Sequence, residues 1–394
     1  MVFSKIEHEY LDELSTLEFR IIIMTRKKRM IEIICTSCGK KYPQDRIIHL
    51  CPDCGGIFDF NRPLEYEKVS IDQSLPGMWK YRYSFSLQNE SPIISLGEGD
   101  TPFIWDNSSS REIGFKLESQ NPTGSYKDRG TALIISQMVT RGIREAVEDS
   151  SGNAGASFAG YCARAGMKAR VFVPESAAGP KRRQIEQYGA ELSVIPGRRS
   201  EAARAVLEAV ADGLAYGSHA FLPFGLPGIA TIAYELLNQT DNSIGSVIAP
   251  AGHGGLLLGI MRGFAALQQA GEIVRQPYYV GVQAEPCSPM ELAYREGLQR
   301  LNDAPEGATL AEGVRVAKPV RAKAIIKELQ NGAGEIIAIP ELELMPAYRE
   351  LAGMGIYCEP TSALVWAALS KLKNCLPLPI ILIISGNGLK YYPD

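Results

Sequence analysis

The sequence has no apolar run approaching the roughly 20 residues that a bilayer-spanning helix requires, so it carries no readable membrane span. It has no surplus of either charge sign. Against 41 lysines and arginines stand 44 aspartates and glutamates, for a net charge of -3. That balance offers no broad basic face for a nucleic acid or an anionic membrane surface, and a small-molecule partner is expected instead. Internal repeats and low-complexity tracts are also missing, which excludes a solenoid or a long disordered linker. No secretory leader is legible. Arg20-Ile21-Ile22-Ile23-Met24 is too short for a leader core and follows an acidic stretch rather than a basic one. The cluster Thr25-Arg26-Lys27-Lys28-Arg29 reads as solvated tail. Residues 1–30 are therefore expected to form a tail, with Met24 and Met30 as alternative starts, and the protein is expected in the cytoplasm. What is present is size and glycine. A chain of 394 residues, 45% of them hydrophobic, can bury more than one core. Its 38 glycines suit an α/β protein with many tight turns and ligand-facing loops.

Eight cysteines occur, and four are clustered: Cys35-x-x-Cys38 and, twelve residues on, Cys51-x-x-Cys54. Each pair forms a knuckle that presents two thiolates to one tetrahedral ion. Gly39 and Gly55-Gly56 follow the knuckles, where positive φ is useful. The spacing predicts a zinc ribbon over residues 31–60, structural because protein fills all four positions and leaves none open for catalysis. Accidental thiols are the alternative, and a disulfide pair does not suit a reducing compartment. Cys162, Cys287, Cys358 and Cys375 have no metal spacing and read as core or neutral thiols.

Beyond the ribbon, residues 61–120 are expected to hold strands and loops, and strands then alternate with helices. Val171-Phe172-Val173-Pro174 reads as a buried strand ending at proline. Lys181 to Tyr188 reads as a helix closed by Gly189, and Ala190 to Ile195 as the next strand. Glu201 to Asp212 is predicted helical, with Ala202, Ala205, Val206, Ala209 and Val210 on one face. Val247–Pro250, Tyr279–Val282 and Ile380–Ile384 are further strands. Apolar strands alternating with helices imply parallel sheets covered on both faces.

The most informative segment is Asn121-Pro122-Thr123-Gly124-Ser125-Tyr126-Lys127-Asp128-Arg129-Gly130. Pro122 and Gly124 set a tight turn. The apolar stretch from Thr131 then begins a helix, which puts Lys127 near a helix N-terminus. Positive charge is disfavoured there, so the neutral amine, which can form a Schiff base with an aldehyde, gains. The bland alternative is a solvated turn lysine. Three more loops carry chemistry-bearing residues. Ser150-Ser151-Gly152-Asn153 opens a helix running to about Ala165, with Gly166 as its stop. Ala251-Gly252-His253-Gly254-Gly255-Leu256 follows a strand and opens a helix, so its backbone N–H groups can approach a phosphate. Ser385-Gly386-Asn387-Gly388-Leu389-Lys390 follows the last apolar strand.

The Asn121–Gly130 segment closely resembles the pyridoxal-phosphate lysine motif of threonine synthases, within the wider tryptophan synthase β-like family (fold type II). Leu96-Gly97-Glu98-Gly99-Asp100-Thr101-Pro102 resembles the segment that precedes it in those enzymes. Lys181 with Tyr188-Gly189-Ala190-Glu191 resembles a stretch common to fold type II. The resemblance covers roughly residues 31–394. It implies two open, twisted, mostly parallel-sheet α/β domains with the cofactor between them, preceded by the ribbon: a large domain of residues 61–130 and 223–394, and a small one of residues 131–222. It implies that Lys127 holds pyridoxal 5'-phosphate and acts as the general base. Asn153 would meet the ring hydroxyl oxygen, Ser385 the ring nitrogen, and Gly252, His253, Gly254, Gly255 and Leu256 the cofactor phosphate. Ser150 and Ser151 would hold the substrate carboxylate, and Arg204 a substrate phosphate. The implied reaction turns O-phospho-L-homoserine and water into L-threonine and phosphate, and a homodimer is implied. The chain departs from the pattern at Tyr126 (often Phe), His253 and Leu256 (both usually Asn) and Asn387 (His). The two departures at 253 and 256 keep open a paralogue acting on another amino acid, either a dehydratase-like β-eliminase or a cysteate-synthase-like β-replacement enzyme. A ribbon-bearing binding protein without catalysis is the third reading, although Lys40, Lys41 and Arg46 are the ribbon's only basic residues before Asp53.

Overall fold

The structure is a computed structural model that describes residues 31–85, 91–106, 112–177, 179–197, 199–330 and 334–392. The tail, leader and alternative-start readings on residues 1–30 lie outside the described residues. Among the described residues, no helix is long and apolar enough to cross a membrane.

Strands β1 (Ile33–Cys35) and β2 (Phe58–Phe60) form an antiparallel hairpin in which Cys35 pairs with Phe58. The two cysteine knuckles lie between them. Next come β3 (Phe103–Trp105) and β4 (Ile113–Lys116), then helix α1 (Lys127–Thr140). The alternation that follows is β5 (Glu145–Glu148), α2 (Asn153–Ala165), β6 (Lys168–Pro174), α3 (Pro180–Gln187), β7 (Glu191–Ile195), α4 (Arg199–Ala211) and β8 (Ala215–Tyr216). Helix α5 (Leu226–Gln239) leads to β9 (Ser246–Pro250), α6 (Gly255–Gln269) and β10 (Tyr278–Ala284). Helices α7 (Pro289–Glu296) and α8 (Ala322–Glu328) precede β11 (Gly334–Ile339). The chain ends with α9 (Leu344–Gly353), α10 (Pro360–Leu372) and β12 (Ile380–Ile383).

Two sheets result, as the alternation predicts. A six-stranded sheet has the order β11-β10-β9-β12-β4-β3, parallel except for β3. A wholly parallel four-stranded sheet has the order β7-β6-β5-β8. The central strands β9 and β12 are buried throughout, which is why they read as unbroken apolar runs. Helix α2 ends where expected, on Gly166 at φ +64. Residues 61–120 differ from the expectation. Besides β3 and β4 they carry 3-10 turns at Lys68–Ser70, Gly77–Ser84 and Glu118–Gln120. The longest of these buries Met78, Trp79 and Tyr81, and Tyr66, Tyr81 and Tyr234 form an aromatic cluster with ring centroids 4.8–6.5 Å apart. Neither a period of two nor one of 3.6 marks such turns.

A buried ionic network ties α1 to both its neighbours. Arg129, fully buried, bonds Glu118 through Nε (2.7 Å) and Glu235 on α5 through Nη1 (2.6 Å), and Lys116 on β4 bonds the same Glu235 at 2.5 Å. This fixes the helix on whose first residue the candidate nucleophile sits.

Candidate active site

The turn at Asn121–Gly124 closes with Gly124 N–H donating to the Asn121 carbonyl at 2.7 Å, and Gly124 has φ +87. A Cβ there would lie 3.0 Å from Lys390 Cδ. Asp128 accepts from Thr123 N (2.7 Å), Thr123 Oγ1 (2.5 Å) and Ser157 Oγ (2.6 Å), which staples the turn to α2. Lys390 Nζ and Gln184 Nε2 both donate to the Thr123 carbonyl, at 2.7 and 3.0 Å. Tyr126 N–H donates to the Ser385 carbonyl at 3.1 Å, and Ser125 bridges Gly386. The loop bearing Lys127 is thus sewn to the end of β12, and Lys127 becomes the first residue of α1.

Lys127 is half-buried by exposed surface but walled in on all sides, as a cleft residue is. Burial pulls its amine down to about 7; the carboxyls of Glu148 and Glu359 oppose the fall and Arg199 aids it. Nζ lies 4.7 Å from the Tyr126 ring centroid. Around the lysine stand buried polar atoms with no hydrogen-bond partner among the described residues: Ser125 Oγ, Glu148 Oε2, Asn153 Oδ1, His219 Nδ1 and His253 Nδ1. Contacts join most of their residues into two groups. Asn153 Nδ2 donates to Glu359 Oε1 at 2.7 Å, and Lys181 Nζ lies 3.1 Å from Glu359 Oε2. His219 Nδ1 lies 3.7 Å from Glu148 Oε1, and the His219 and His253 rings meet edge to face at 5.7 Å. Native proteins rarely leave so many buried polar atoms unpaired, and the cluster marks a place for a polar ligand.

Burial sets the protonation states as well. It pushes Glu148 well above the usual carboxylate range, with Asp149 adding to the rise and Lys127 and Arg199 opposing it. Burial, Lys127, His253 and Arg199 push His219 well below its ordinary value. Burial, Lys127, Arg199 and Arg321 hold His253 at about 3. The cleft therefore presents two neutral imidazoles at neutral pH and favours the protonated form of the Glu148 carboxyl.

Besides the lysine loop and Glu359 at the start of α10, four loops reach the cleft, each at the C-terminal end of a parallel strand, where open α/β sheets bind ligands. After β5, Ser150 Oγ accepts from Gly152 N–H at 3.2 Å, and no side chain caps α2. A Cβ on Gly155 would lie 1.8 Å from the Ser150 carbonyl oxygen, so only glycine permits this close approach of loop and helix. Ser151 lies in the same loop, half-buried. After β9, the segment Gly252–Gly255 enters α6 through Gly254 at φ +93, again with no side-chain cap. A Cβ on Gly252 would sit 2.7 Å from the Gly313 carbonyl oxygen, and one on Gly254 would sit 2.4 Å from Ile325 Cδ1. The first N–H groups of α6 have no intrahelical acceptor and are available to an anion. Leu256 contributes only its backbone, because its side chain is core. After β12, buried Ser385 places Oγ 3.1 Å from Ser362 Oγ. After β8 comes His219.

The structure does not bring Arg204 to this cleft. It lies on the outer face of α4, its side chain 70% exposed and paired with Glu201 and Glu208. The helix turns Ala202 and Val206 inward, so position 204 faces solvent. The cation whose charge does act on Lys127, Glu148, His219 and His253 is Arg199, at the start of that helix. Glu148, His219, Glu359 and Arg199 escaped the sequence reading. An acid ending an apolar strand, and a Glu-Pro pair opening a helix, were the faint signals for Glu148 and Glu359.

At the other end of the chain the four cysteine Sγ atoms lie within 4.8 Å of one another. Cys35 and Cys54 are 3.4 Å apart, and Cys38 and Cys51 3.6 Å. A tetrahedral ion with bonds of ~2.3 Å needs sulfur separations of ~3.8 Å, so the donor set fits one such ion.

The chain belongs to the pyridoxal-phosphate dependent enzymes, whose family model matches residues 94–386, and within them to the threonine synthase-like members of fold type II. It is an enzyme of the lyase type. It is 33% identical over 373 residues to a threonine synthase of Methanocaldococcus jannaschii, covering 90% of this chain and 92% of that one. With a threonine synthase of Synechocystis it shares 31% identity over 320 residues, covering 79% and 82%. Among solved structures, the processed threonine deaminase isoform 2 of Solanum lycopersicum superposes with a TM-score of 0.65 at 20% identity, over 88% of this chain and 95% of that one, a likeness of fold. The unpartnered atoms around Lys127 and the side-chain-free start of α6 fit pyridoxal phosphate: an amine for the aldehyde, an uncapped helix end for the phosphate, and hydroxyl and amide groups for the ring.

Proposed function

We propose that this enzyme converts O-phospho-L-homoserine and water to L-threonine and phosphate. One observation carries the reading: a lysine amine brought down to about 7 at a helix start, ringed by buried polar atoms that lack partners. The names of its relatives support the choice of substrate. Pyridoxal phosphate, when bound, supplies electron withdrawal from the amino acid's Cα. The protein does the rest. The N–H groups of Gly252–Leu256 hold the cofactor phosphate. Asn153 Nδ2 gives one hydrogen to Glu359 and has a second for the ring hydroxyl oxygen. Ser385 Oγ faces the ring nitrogen as a neutral hydroxyl, which leaves the ring a milder electron sink than a carboxylate partner would. The Ser150-Ser151 loop and the start of α2 receive the substrate carboxylate. Lys127 accepts the Cα proton and relays protons at Cβ and Cγ, a task suited to a group with both forms populated near pH 7. The four cysteines hold one structural zinc.

A specific observation favours a second reading, that of a paralogue performing β-elimination or β-replacement on another amino acid. With His219 and His253 neutral and Arg204 on the outside, a phosphate dianion would have to draw on cations already engaged in this cluster: Lys127 itself, Arg199, Lys181 on Glu359, buried Lys390 and Arg321. Incubation with O-phosphohomoserine, O-phosphoserine and threonine separates the readings. Threonine with phosphate supports the first. Ammonia with a 2-oxo acid, or no turnover of phosphohomoserine, supports the second. Lys127→Ala should abolish both turnover and the visible absorbance of bound cofactor, and borohydride reduction with peptide mapping should place the pyridoxyl label on Lys127.

A further inference from the structure

Arg321 belongs to no motif, yet it joins three parts of the molecule. It is 2% exposed. Its backbone N–H donates to the His253 carbonyl at 3.1 Å, within the glycine loop. Its guanidinium donates to the Ala220 carbonyl (3.3 Å) and the Phe221 carbonyl (2.7 Å), immediately after His219. It also donates to the Phe58 carbonyl at 3.0 Å, on ribbon strand β2, and lies 3.4 Å from Asp59 Oδ2. Asp59 in turn grips Arg262 of α6 with both carboxylate oxygens, at 2.6 and 2.7 Å. The ribbon therefore touches the helix that the glycine loop opens and, through Arg321, the loop itself and the His219 segment. On the ribbon side Phe58 pairs with Cys35, and Tyr42 packs its edge on both Phe58 and Phe224. His49 packs on Tyr216 and Phe221.

We propose that Arg321 is a positioning residue through which the metal-loaded ribbon holds the cofactor's phosphate loop in place. This rests on the reading of residues 252–256 as that loop and of the four cysteines as a zinc site. A ribbon of about thirty residues has too little core to stay ordered alone, so the bound ion supplies its folding free energy. Loss of the ion frees Phe58 and Asp59. The buried guanidinium is then left with unmet donors and must reorganise, and the segment it braces moves with it. Cofactor affinity should then depend on zinc, although the sulfur atoms have no part in the cofactor site.

The test uses the full-length enzyme. Zinc is released with a strong chelator and counted with a metal-sensitive dye, and the cofactor Kd is measured by its visible absorbance before release, after release and after zinc is restored. Arg321→Met and Arg321→Lys are titrated in parallel. We expect zinc removal to raise the cofactor Kd at least tenfold, reversibly. Arg321→Met should do the same with zinc retained, and Arg321→Lys should recover part of the loss. In Arg321→Met, zinc removal should add less than threefold. A Kd within twofold of the starting value after complete zinc release, or in zinc-loaded Arg321→Met, overturns the inference; the variant decides the matter where the stripped chain unfolds. A further tenfold loss on stripping Arg321→Met also overturns it, because the coupling then bypasses Arg321. Failure of the zinc-loaded wild type to take up cofactor would overturn the reading of the loop together with the inference.

Discussion

The amine of Lys127 should titrate near pH 7 in the cofactor-free enzyme. Burial is the main cause, and the net effect lowers the group from its usual 10.5 to about 7. At pH 7 about half of the Lys127 amines are then neutral, against about 1 in 3000 for an ordinary lysine. Because the neutral form reacts, labelling should rise with pH through about 7 and level off above 8. The assay is competitive acylation of the cofactor-free protein with a trace of a small amine reagent across pH 5–11, read by peptide mass mapping. The midpoint is the decisive quantity. Absolute rate is a poorer guide, because a less basic amine is also a weaker nucleophile. The chain in denaturant serves as the reference and should return the Lys127 midpoint to about 10.5. A native midpoint above 9 would refute the argument that the cleft desolvates this lysine, and with it the proposed base role.

Arg129→Met should lower stability by about 3–5 kcal/mol, because Glu118 would be left in the core without its cation. A denaturant midpoint implying less than 1 kcal/mol would show that the network relaxes freely. Arg204→Ala should leave kcat and KM within twofold, since its side chain faces solvent; a KM rise above tenfold would restore it to the substrate site. Glu148→Gln should lower the Lys127 labelling midpoint below about 7, because the Glu148 carboxyl opposes the fall that burial causes. A midpoint that stays in place or rises would show that the lysine feels no charge from Glu148.

The parts of this site legible in the sequence are those where the chain itself makes the site. Lys127, Asn153, the Gly252–Gly255 loop and Ser385 each lie in a short run of turn residues between a strand and a helix or at a strand end, and such runs have local causes: a φ of +93 at Gly254, or a close approach at Gly155. The four cysteines were legible for the same reason. Glu148, His219, Glu359 and Arg321 have no such local mark. They matter through contacts between segments far apart in the chain: β5 and β8 are neighbours in the four-stranded sheet, Glu359 bonds Asn153 from the start of α10, and Arg321 reaches the Ala220 and Phe221 carbonyls. Arg204 shows the converse failure. It sits in the right helix, but the 3.6-residue period turns it outward, and only Arg199 at the helix start reaches the cleft electrostatically. The 3-10 turns of residues 61–85 were illegible because the aromatic cluster, not a periodic pattern, holds them.

The same burial that neutralises Lys127 acts on every ionisable group near it, and this bears on the substrate. A cleft that makes a lysine a base at neutral pH cannot also keep His219 and His253 as cations, and it pushes the Glu148 carboxyl well above the usual carboxylate range. The two anions common to both readings, cofactor phosphate and amino-acid carboxylate, can be met without side-chain cations, because the uncapped starts of α6 and α2 supply backbone N–H groups whose dipoles do not titrate. A third anion, the phosphate of phosphohomoserine, would depend on side-chain cations, of which Arg199, Lys181, Lys390, Arg321 and Lys127 itself are linked to this cluster. Engaging Lys127 that way would favour its charged form and oppose the role of base. The phosphorylated substrate therefore needs a cation other than Lys127 for its phosphate, whereas an unphosphorylated hydroxy amino acid meets no such conflict.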